Sequence, residues 1–238
     1  MSQKIYRIRR SIFMLCIAFI IAGFGLISDF RQSQEITEHN KNITEKIGVS
    51  DQLALHALES LAVKGRAPKT GYKRTEFGNG WQKSGSCTTR ELILARDLEH
   101  TQIRDCKVYS GTLNDPYTGK RITFLRGPES SDDIQIDHVV ALSDAWQKGA
   151  QNLDTNLRET LANDPLELIA VDGGANQQKS DGDAASWVPP NKAFRCRYVA
   201  RQIAVKQKYQ LWVTSSEKET IKSILTVCPN QQLPMQKD

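Results

Sequence analysis

An uncharged run of 18 residues near the N terminus, SIFMLCIAFIIAGFGLIS at 11–28, divides the chain and decides in which compartment the rest of it folds. Its length lies between that of a signal-peptide core and that of a full membrane span, so the segment is either cleaved or kept as an anchor. No small-x-small cleavage site follows it, which favours the anchor. Four basic residues precede the run, and their retention in the cytoplasm would place everything after residue 28 outside: Lys4, Arg7, Arg9 and Arg10. The less favoured alternative is a buried helix of a soluble domain.

The cysteines agree with an oxidising compartment. Cys16 lies in the apolar run, and the remaining four, an even number, lie in the region predicted to be exported: Cys87, Cys106, Cys196 and Cys228. Four cysteines allow three pairings, of which local closure favours Cys87–Cys106 and Cys196–Cys228. A zinc site made by all four is the alternative, but no C-x-x-C pair supports it.

The chain reads as one globular domain with appendages. Its 238 residues, with 39% hydrophobic and 25% charged residues, can bury a core and do not have the composition of a disordered protein. We assign an export segment to 1–30, a polar spacer with one helix to 31–70, the folded domain to 71–230 and a tail to 231–238. The net charge of +5 is compatible with a polyanionic partner but does not demand one.

Within the domain, helices and strands alternate in a pattern that predicts an α+β fold. TTRE at 88–91 fits a capping box before a helix, and two β-like segments, KVYSGTL and KRITFLRG, flank a turn at 114–119. DIQIDHVVAL and LELIAV read as two further strands. Two helices are expected near the C terminus, at about 191–209 and 215–227.

One set of side chains carries chemistry. Asp137 and His138 lie in the first of those strands, and Asn176 and Lys179 follow the second. Carboxylate and amide oxygens suit Mg²⁺ or Mn²⁺ more than Zn²⁺. An imidazole with an ordinary pKa near 6.5 can take a proton from water at neutral pH, and Lys179, one helical turn after Asn176, can face the same phosphate. These residue types together suit phosphodiester hydrolysis.

The chain resembles the GmrSD-type HNH endonuclease family, in its secreted actinobacterial branch. The matching segments are TRELILARDL, CKVYSGTLNDPYTGKRITF, QIDHVVALSDAW, ANDPLELIAVDGGANQQKSDGDAASWVPPN and RCRYVARQIAVKQKYQLWV. The resemblance implies a ββα-metal core, in which a hairpin and a helix hold a single divalent ion, surrounded by further helices and a second hairpin. By motif match Asp137 and Asn176 are the metal ligands, His138 is the general base, and Lys179 falls on the family's basic position.

One position departs from the family pattern. The middle residue of the HNH motif is usually an Asn at the start of the second strand, and here it is Glu167. A Glu can accept hydrogen bonds from backbone N–H groups of the loop that carries the base, and it adds negative charge near the metal. A catalytically degenerate copy of the enzyme is therefore an open alternative.

A basic stripe on the helix at about 191–209 is the candidate substrate-binding surface. Arg197, Arg201 and Lys208 fall within one narrow stripe at helical spacing and could neutralise phosphates. An ordinary solvated helix face explains the same stripe equally well.

These observations predict an exported, metal-dependent endonuclease that hydrolyses DNA, with RNA as a second substrate, and has little sequence specificity, since no base-reading module is evident. It would be secreted or tethered to the outer face of the cytoplasmic membrane by its N-terminal segment. The first alternative is a nucleic-acid-binding envelope protein that lost hydrolysis through Glu167. The second is a structural surface protein in which the Asp-His pair is incidental.

Overall fold

A computed structural model describes residues 53–127 and 132–234. The predicted export segment lies outside these ranges, as do most of the spacer and the end of the tail, so the predictions made for them remain predictions. No helix within the described ranges is long and apolar enough to cross a bilayer.

The described residues form an α+β fold, as predicted. The helices, in chain order, are α1 (Ala54–Ser60), α2 (Thr89–Asp97), α3 (Leu142–Gln147), α4 (Thr155–Asn163), α5 (Gly173–Lys179), α6 (Arg195–Lys208) and α7 (Ser215–Thr226). Short 3-10 turns occupy Arg74–Phe77, Ala150–Asn152 and Lys192–Phe194. The strands are β1 (Lys83–Ser84), β2 (Cys87–Thr88), β3 (Glu99–Arg104), β4 (Lys107–Asn114), β5 (Arg121–Leu125), β6 (Ile134–His138) and β7 (Leu168–Asp172).

Strands β6 and β7 form an antiparallel pair, and Asp137 and His138 are the last two residues of β6. The register sets Ile134 opposite Asp172 and His138 opposite Leu168. Helix α5 follows β7 directly, because the side chain of Asp172 accepts a hydrogen bond from the N–H of Ala175 (2.7 Å) and so caps the helix. The helix therefore runs back along β6 towards His138.

The predicted second hairpin belongs to a three-stranded antiparallel sheet. Strands β4 and β5 pair as predicted, with Thr112 opposite Thr123. Strand β3 adds to the other edge of β4 and was not predicted. Its sequence, EHTQIR, has almost no apolar alternation because nearly every side chain of this strand is exposed.

The predicted capping box of α2 forms only in part. The hydroxyl of Thr88 accepts a hydrogen bond from the N–H of Glu91, as the motif requires. The carboxylate of Glu91 instead accepts hydrogen bonds from the N–H of Val108 (2.7 Å) and from the guanidinium of Arg126 (2.6 Å). These bonds connect the start of α2 to Val108 of β4 and to Arg126 after β5. The carboxylate is drawn to them because the guanidinium is charged and the N–H of Val108 is buried.

The main core lies around α6, whose fully buried residues include Tyr198, Val199 and Ile203. Helix α1 packs against α6 and α7, and its Ala54 and Leu58 are fully buried in the same core. The core thus extends N-terminal to residue 71, where the sequence analysis began the folded domain. A smaller core joins α2 to the two sheets.

Both predicted disulfides form, and the alternative of a four-cysteine zinc site is not realised. Cys87 bonds to Cys106 and fastens the start of α2 to the β3–β4 turn, with a Cα–Cα distance of 5.1 Å. Cys196 bonds to Cys228 and fastens the start of α6 to the segment after α7, with a Cα–Cα distance of 6.5 Å.

A buried ionic cluster joins α3, α6 and α7. The ammonium of Lys148 lies 2.9 Å from Asp144, 2.7 Å from Asp183 and 2.6 Å from Glu217. Lys206 lies 2.9 Å from Glu217, and all five side chains are buried. Burial alone would lower the pKa of Lys148, but the carboxylates of Asp144 and Glu217 raise it overall, so the lysine stays charged.

Replacement of Lys148 by Met should lower the free energy of unfolding by roughly 3–5 kcal/mol, because three buried carboxylates are then left with only Lys206 and the partly exposed Arg66 as counter-charges. Urea unfolding followed by circular dichroism measures the change. Lys222→Ala is the matched control, since Lys222 pairs with Glu59 on the exposed surface and should leave the midpoint unchanged. Equal midpoints for Lys148→Met and the wild type would show that the cluster does not stabilise the fold.

Candidate active site

The β6–β7 pair and helix α5 bring four predicted site residues together. Helix α5 lies along β6, so the amide of Asn176 donates to the side-chain oxygen of Gln135 (2.8 Å) and the ammonium of Lys179 reaches Asp137 (2.9 Å). This close approach depends on Gly173, where a Cβ would lie 2.1 Å from the carbonyl oxygen of Asp132. The proximity predicted for Asp137, His138, Asn176 and Lys179 is what the fold provides.

Asp137 is buried and held by two donors. The ammonium of Lys179 donates to its Oδ1, and the phenol of Tyr117 donates to its Oδ2. Burial raises the pKa of Tyr117 above its ordinary value of 10, so this phenol keeps its proton and remains a donor. The orientation of the carboxylate is therefore fixed by groups from α5 and from the turn between β4 and β5.

Lys179 does not face the cleft, in contrast to the expectation that its charge would face the phosphate. Its ammonium also donates to the carbonyl oxygen of His138 (2.8 Å), and the residue is only 2% exposed. A buried ammonium needs counter-charge and acceptors, which Asp137 and this carbonyl supply. The geometry makes Lys179 a positioning residue behind the site.

His138 presents one ring nitrogen as a base. Its Nε2 lies 3.0 Å from the carbonyl oxygen of Ala162, which can only accept, so Nε2 carries the proton and Nδ1 keeps its lone pair. The ring stacks on Trp81 with an interplanar angle of 6° and a centroid distance of 5.8 Å. Burial, and then the positive charge of Arg74, lower the pKa of His138 to about 3, so the imidazole is neutral at neutral pH.

The loop after His138 is braced from two sides. The carboxyl group of Glu167 accepts the N–H of Val140, with both oxygens at 3.2 Å, and the backbone carbonyl of Glu167 accepts the N–H of Val139 (2.9 Å). From α6, the amide of Gln202 donates to the carbonyl of Val139 (2.7 Å). Burial raises the pKa of Glu167 well above its ordinary value, which favours the neutral acid at this position.

A cleft of about 460 Å³ opens onto these groups. Its lining is mostly polar and includes the predicted site residues Asp137, His138 and Asn176. It also includes Gln135 and two arginines that were not predicted to belong to the site, Arg74 and Arg90. The lining also includes the carboxylates of Asp132 and Asp181, of which Asp181 pairs with Lys69 at 2.7 Å. The two arginines lie beside the neutral imidazole of His138, an arrangement suited to an anionic substrate.

Two side-chain oxygens of the cleft could hold a divalent cation. The Oδ1 of Asn176 accepts no hydrogen bond from the described residues, because its amide nitrogen is the atom turned to Gln135. Each oxygen of Asp137 accepts one hydrogen bond and keeps a second lone pair. No group of three or more His, Cys, Asp or Glu residues in the described ranges could hold a metal ion. The donor set fits a cation such as Mg²⁺, which keeps several waters and takes few protein ligands.

The basic stripe of α6 does not reach this cleft. The guanidinium of Arg201 donates to the carbonyl oxygens of Leu166 (2.6 Å) and Leu168 (2.9 Å) on the far side of β7. Lys208 pairs with Asp164 at 2.8 Å, and Arg197 lies over the ring of Phe194. Arg201 and Lys208 thus hold the segment before β7, where the carbonyl of Leu166 and the carboxylate of Asp164 face α6. None of the three stripe residues lines the cleft of the candidate site.

Sequence reasoning missed several residues of the site. Tyr117 lay within a predicted turn, and Gln202 lay on the polar part of a helix, so neither carried a signal of its own. Trp81 and Arg74 lie in a stretch that contained no recognisable motif. All four reach the site only through the packing of elements that are distant in the sequence.

Replacement of His138 by Gln should flatten the dependence of stability on pH. Because the folded pKa of about 3 lies below the ordinary 6.5, the unfolded chain binds the proton first, and the free energy of unfolding falls as pH falls below 6.5. This residue should account for a loss of about 2 kcal/mol between pH 7 and pH 5 in the wild type. Urea unfolding at several pH values measures the loss.

The matched control is His100→Asn, at an exposed histidine with a φ of 52° that Asn tolerates. This variant should keep the wild-type slope. A His138→Gln protein with the same slope as the wild type would contradict the depressed pKa.

Comparison with known proteins identifies the family. Residues 87–224 match the family described as GmrSD restriction endonucleases, C-terminal domain. An uncharacterized secreted protein of Arthroderma benhamiae is 39% identical over 182 residues, which make up 75% of this chain and 86% of that protein. No solved structure matches the chain. Since the matched residues span more than half of the chain and include every residue of the candidate site except Arg74 and Trp81, the protein belongs to the family of GmrSD restriction endonuclease C-terminal domains.

Proposed function

We propose that this protein is an exported nuclease that hydrolyses phosphodiester bonds of DNA, with His138 as the general base. The observation that carries the proposal is the neutral imidazole of His138, whose Nε2 is occupied by the carbonyl of Ala162 while Nδ1 is left as an acceptor. The residue lines a polar cleft together with two arginines and an amide oxygen. Membership in a restriction-endonuclease family supports the same chemistry.

In the proposed reaction, a water molecule in the cleft gives a proton to Nδ1 of His138 as its oxygen forms a bond to phosphorus. The bond from phosphorus to the leaving oxygen of the sugar then breaks, and that oxygen takes a proton from solvent. The stacked ring of Trp81 and the carbonyl of Ala162 hold the imidazole in one plane. Such fixed orientation of the base supports attack along a single line.

A divalent cation, Mg²⁺ or Mn²⁺, is part of the proposal, with Asn176 and Asp137 as its protein ligands. When bound, the cation would supply a Lewis acid that stabilises negative charge on the phosphate. Tyr117 and Lys179 orient the carboxylate of Asp137 and spread its charge. Glu167 holds the loop after His138 through Val140.

An extracellular location is proposed on three grounds: the N-terminal apolar run, the two disulfides and the secreted relative. The proposal covers two forms of the protein. One is secreted after the apolar run is cleaved, and the other keeps that run as a membrane anchor. Low sequence specificity is expected because none of the described elements resembles a base-reading module. RNA is the second substrate to test.

The deciding experiment is cleavage of plasmid DNA by the full-length protein with Mg²⁺, with Mn²⁺ or with EDTA. The wild type should cleave only with a cation, and His138→Ala should lower kcat by at least 10²-fold, the usual contribution of a general base. His100→Asn is the matched control and should cleave at the wild-type rate. Cleavage by His138→Ala at the wild-type rate would exclude His138 as the base.

A nucleic-acid-binding protein without hydrolysis is the second candidate, favoured by the Glu in place of the usual Asn. Glu167→Gln tests it, because a protonated carboxyl group and an amide have nearly the same shape and the raised pKa favours the protonated form. We expect Glu167→Gln to cleave within about threefold of the wild-type rate, because the amide oxygen of Gln can still accept the hydrogen bond from the N–H of Val140. Loss of that hydrogen bond would lower the rate by more than this.

Glu167→Asn, which restores the family's usual residue, completes the comparison. An inactive wild type that becomes active in Glu167→Asn would identify Glu167 as the disabling change and favour the binding protein. An active wild type that loses cleavage in Glu167→Gln would show instead that the ionised carboxylate is required.

A further inference from the structure

We propose that Arg74 binds a phosphate of the nucleic-acid backbone beside the scissile one and so holds the substrate against His138. This inference rests on the proposed function and assigns a substrate-binding residue to the same cleft. The residue lies N-terminal to residues 87–224, which the family match covers, so the family match does not assign it.

Arg74 is held at the cleft by a firmly packed turn. It begins the 3-10 turn Arg74–Phe77, and Phe77 is buried in the main core against Trp146. Arg158 of α4 donates to the carbonyl oxygen of Glu76 (2.8 Å) and so fixes the turn to α4. The backbone of Arg74 is therefore fixed, while its side chain is exposed to solvent.

The side chain lies between two openings that share His138. One is the cleft of about 460 Å³ that also contains Asp137 and Asn176. The other is a depression of about 150 Å³ lined by Trp81 and Ala162. A strand that passes His138 from one opening to the other therefore passes Arg74.

The charge of Arg74 is available to a ligand. Of the three carboxylates that line the cleft, Asp137 is paired with Lys179, Asp181 is paired with Lys69 at 2.7 Å, and the charge of Asp132 acts on Arg90. No carboxylate of the described residues lies within ion-pair distance of Arg74, and among these residues no acceptor takes a hydrogen bond from its guanidinium.

Arg90, the other arginine of the cleft, differs from Arg74 in its burial and in its pairing with a carboxylate. It is largely buried and lies 3.7 Å from the carboxylate of Glu91. Its charge is therefore partly compensated within the protein.

A guanidinium suits this role better than an ammonium would. It is planar, weakly hydrated and able to donate two parallel hydrogen bonds to a phosphate. Since the phosphate backbone supplies most of the sequence-independent affinity of nucleic-acid-binding proteins, one such contact adds affinity for any sequence. This agrees with the low sequence specificity expected for the enzyme.

The test uses Arg74→Ala and Arg74→Lys in the full-length protein with intact disulfides. Cleavage of a fluorescent single-stranded and a double-stranded oligonucleotide gives kcat and KM. Fluorescence anisotropy in the His138→Ala background gives the Kd at several salt concentrations. Arg74→Ala should raise KM and Kd roughly tenfold, as expected for one charge-assisted hydrogen-bonded contact, with kcat within about threefold of wild type.

The salt dependence separates phosphate binding from a structural effect. Loss of one phosphate contact should reduce the slope of log Kd against log salt by about 0.7 to 0.9. Arg74→Lys should recover part of the affinity and the full slope, since it keeps the charge but not the paired hydrogen bonds. Lys73→Ala, at an exposed neighbour that does not line the cleft, is the control and should match the wild type.

The outcomes distinguish this inference from the proposed function. A wild type that cleaves, with Arg74→Ala unchanged in KM, Kd and slope, overturns the role of Arg74 and leaves the nuclease. A lowered kcat with an unchanged slope also overturns it, because Arg74 would then act on His138 rather than on the substrate. DNA binding with an Arg74-dependent slope but no cleavage supports the phosphate contact and overturns the nuclease, and neither binding nor cleavage overturns both.

Discussion

The buried pair of Lys179 and Asp137 is the interaction on which the geometry of the candidate site depends. Lys179 is the last residue of α5, and Asp137 is the next-to-last residue of β6. The ammonium also donates to the backbone carbonyl of His138, so a single side chain fixes both the carboxylate of Asp137 and the end of β6. Because both charges are withdrawn from water, separating them would leave a buried charge without compensation.

A second layer of buried polar groups maintains this arrangement. Tyr117 reaches Asp137 from the turn between β4 and β5, while Glu167 and Gln202 hold the loop after His138 from β7 and α6. Each of these side chains makes at least one hydrogen bond, and the buried Oε1 atom of Gln202 has no partner among the described residues. The site is thus held by the β4–β5 turn, by the residue before β7 and by α6. The ionic cluster around Lys148 joins α3, α6 and α7 to one another.

The segment N-terminal to the family match is part of the same structure. Helix α1 is part of the main core, Arg74 lines the cleft, and Trp81 lines the neighbouring depression and stacks on the ring of His138. The two disulfides fasten the start of α2 and the start of α6, the two helices that pack against the strands of the site or the loop beside them.

The sequence by itself determined the fold class, the helix–strand pattern around the site and the proximity of Asp137, His138, Asn176 and Lys179. Among three possible cysteine pairings it favoured the one that forms. These are properties of local periodicity, of short loop closure and of a motif that one hairpin and one helix can assemble. It did not reveal strand β3, whose exposed side chains leave no apolar alternation. Nor could it show that Lys179 points inward, that Arg201 and Lys208 serve the segment before β7, or that Tyr117, Gln202, Trp81 and Arg74 reach the site. Those outcomes were decided by tertiary structure, because the partner of a charged or polar side chain is set by which distant elements pack beside it.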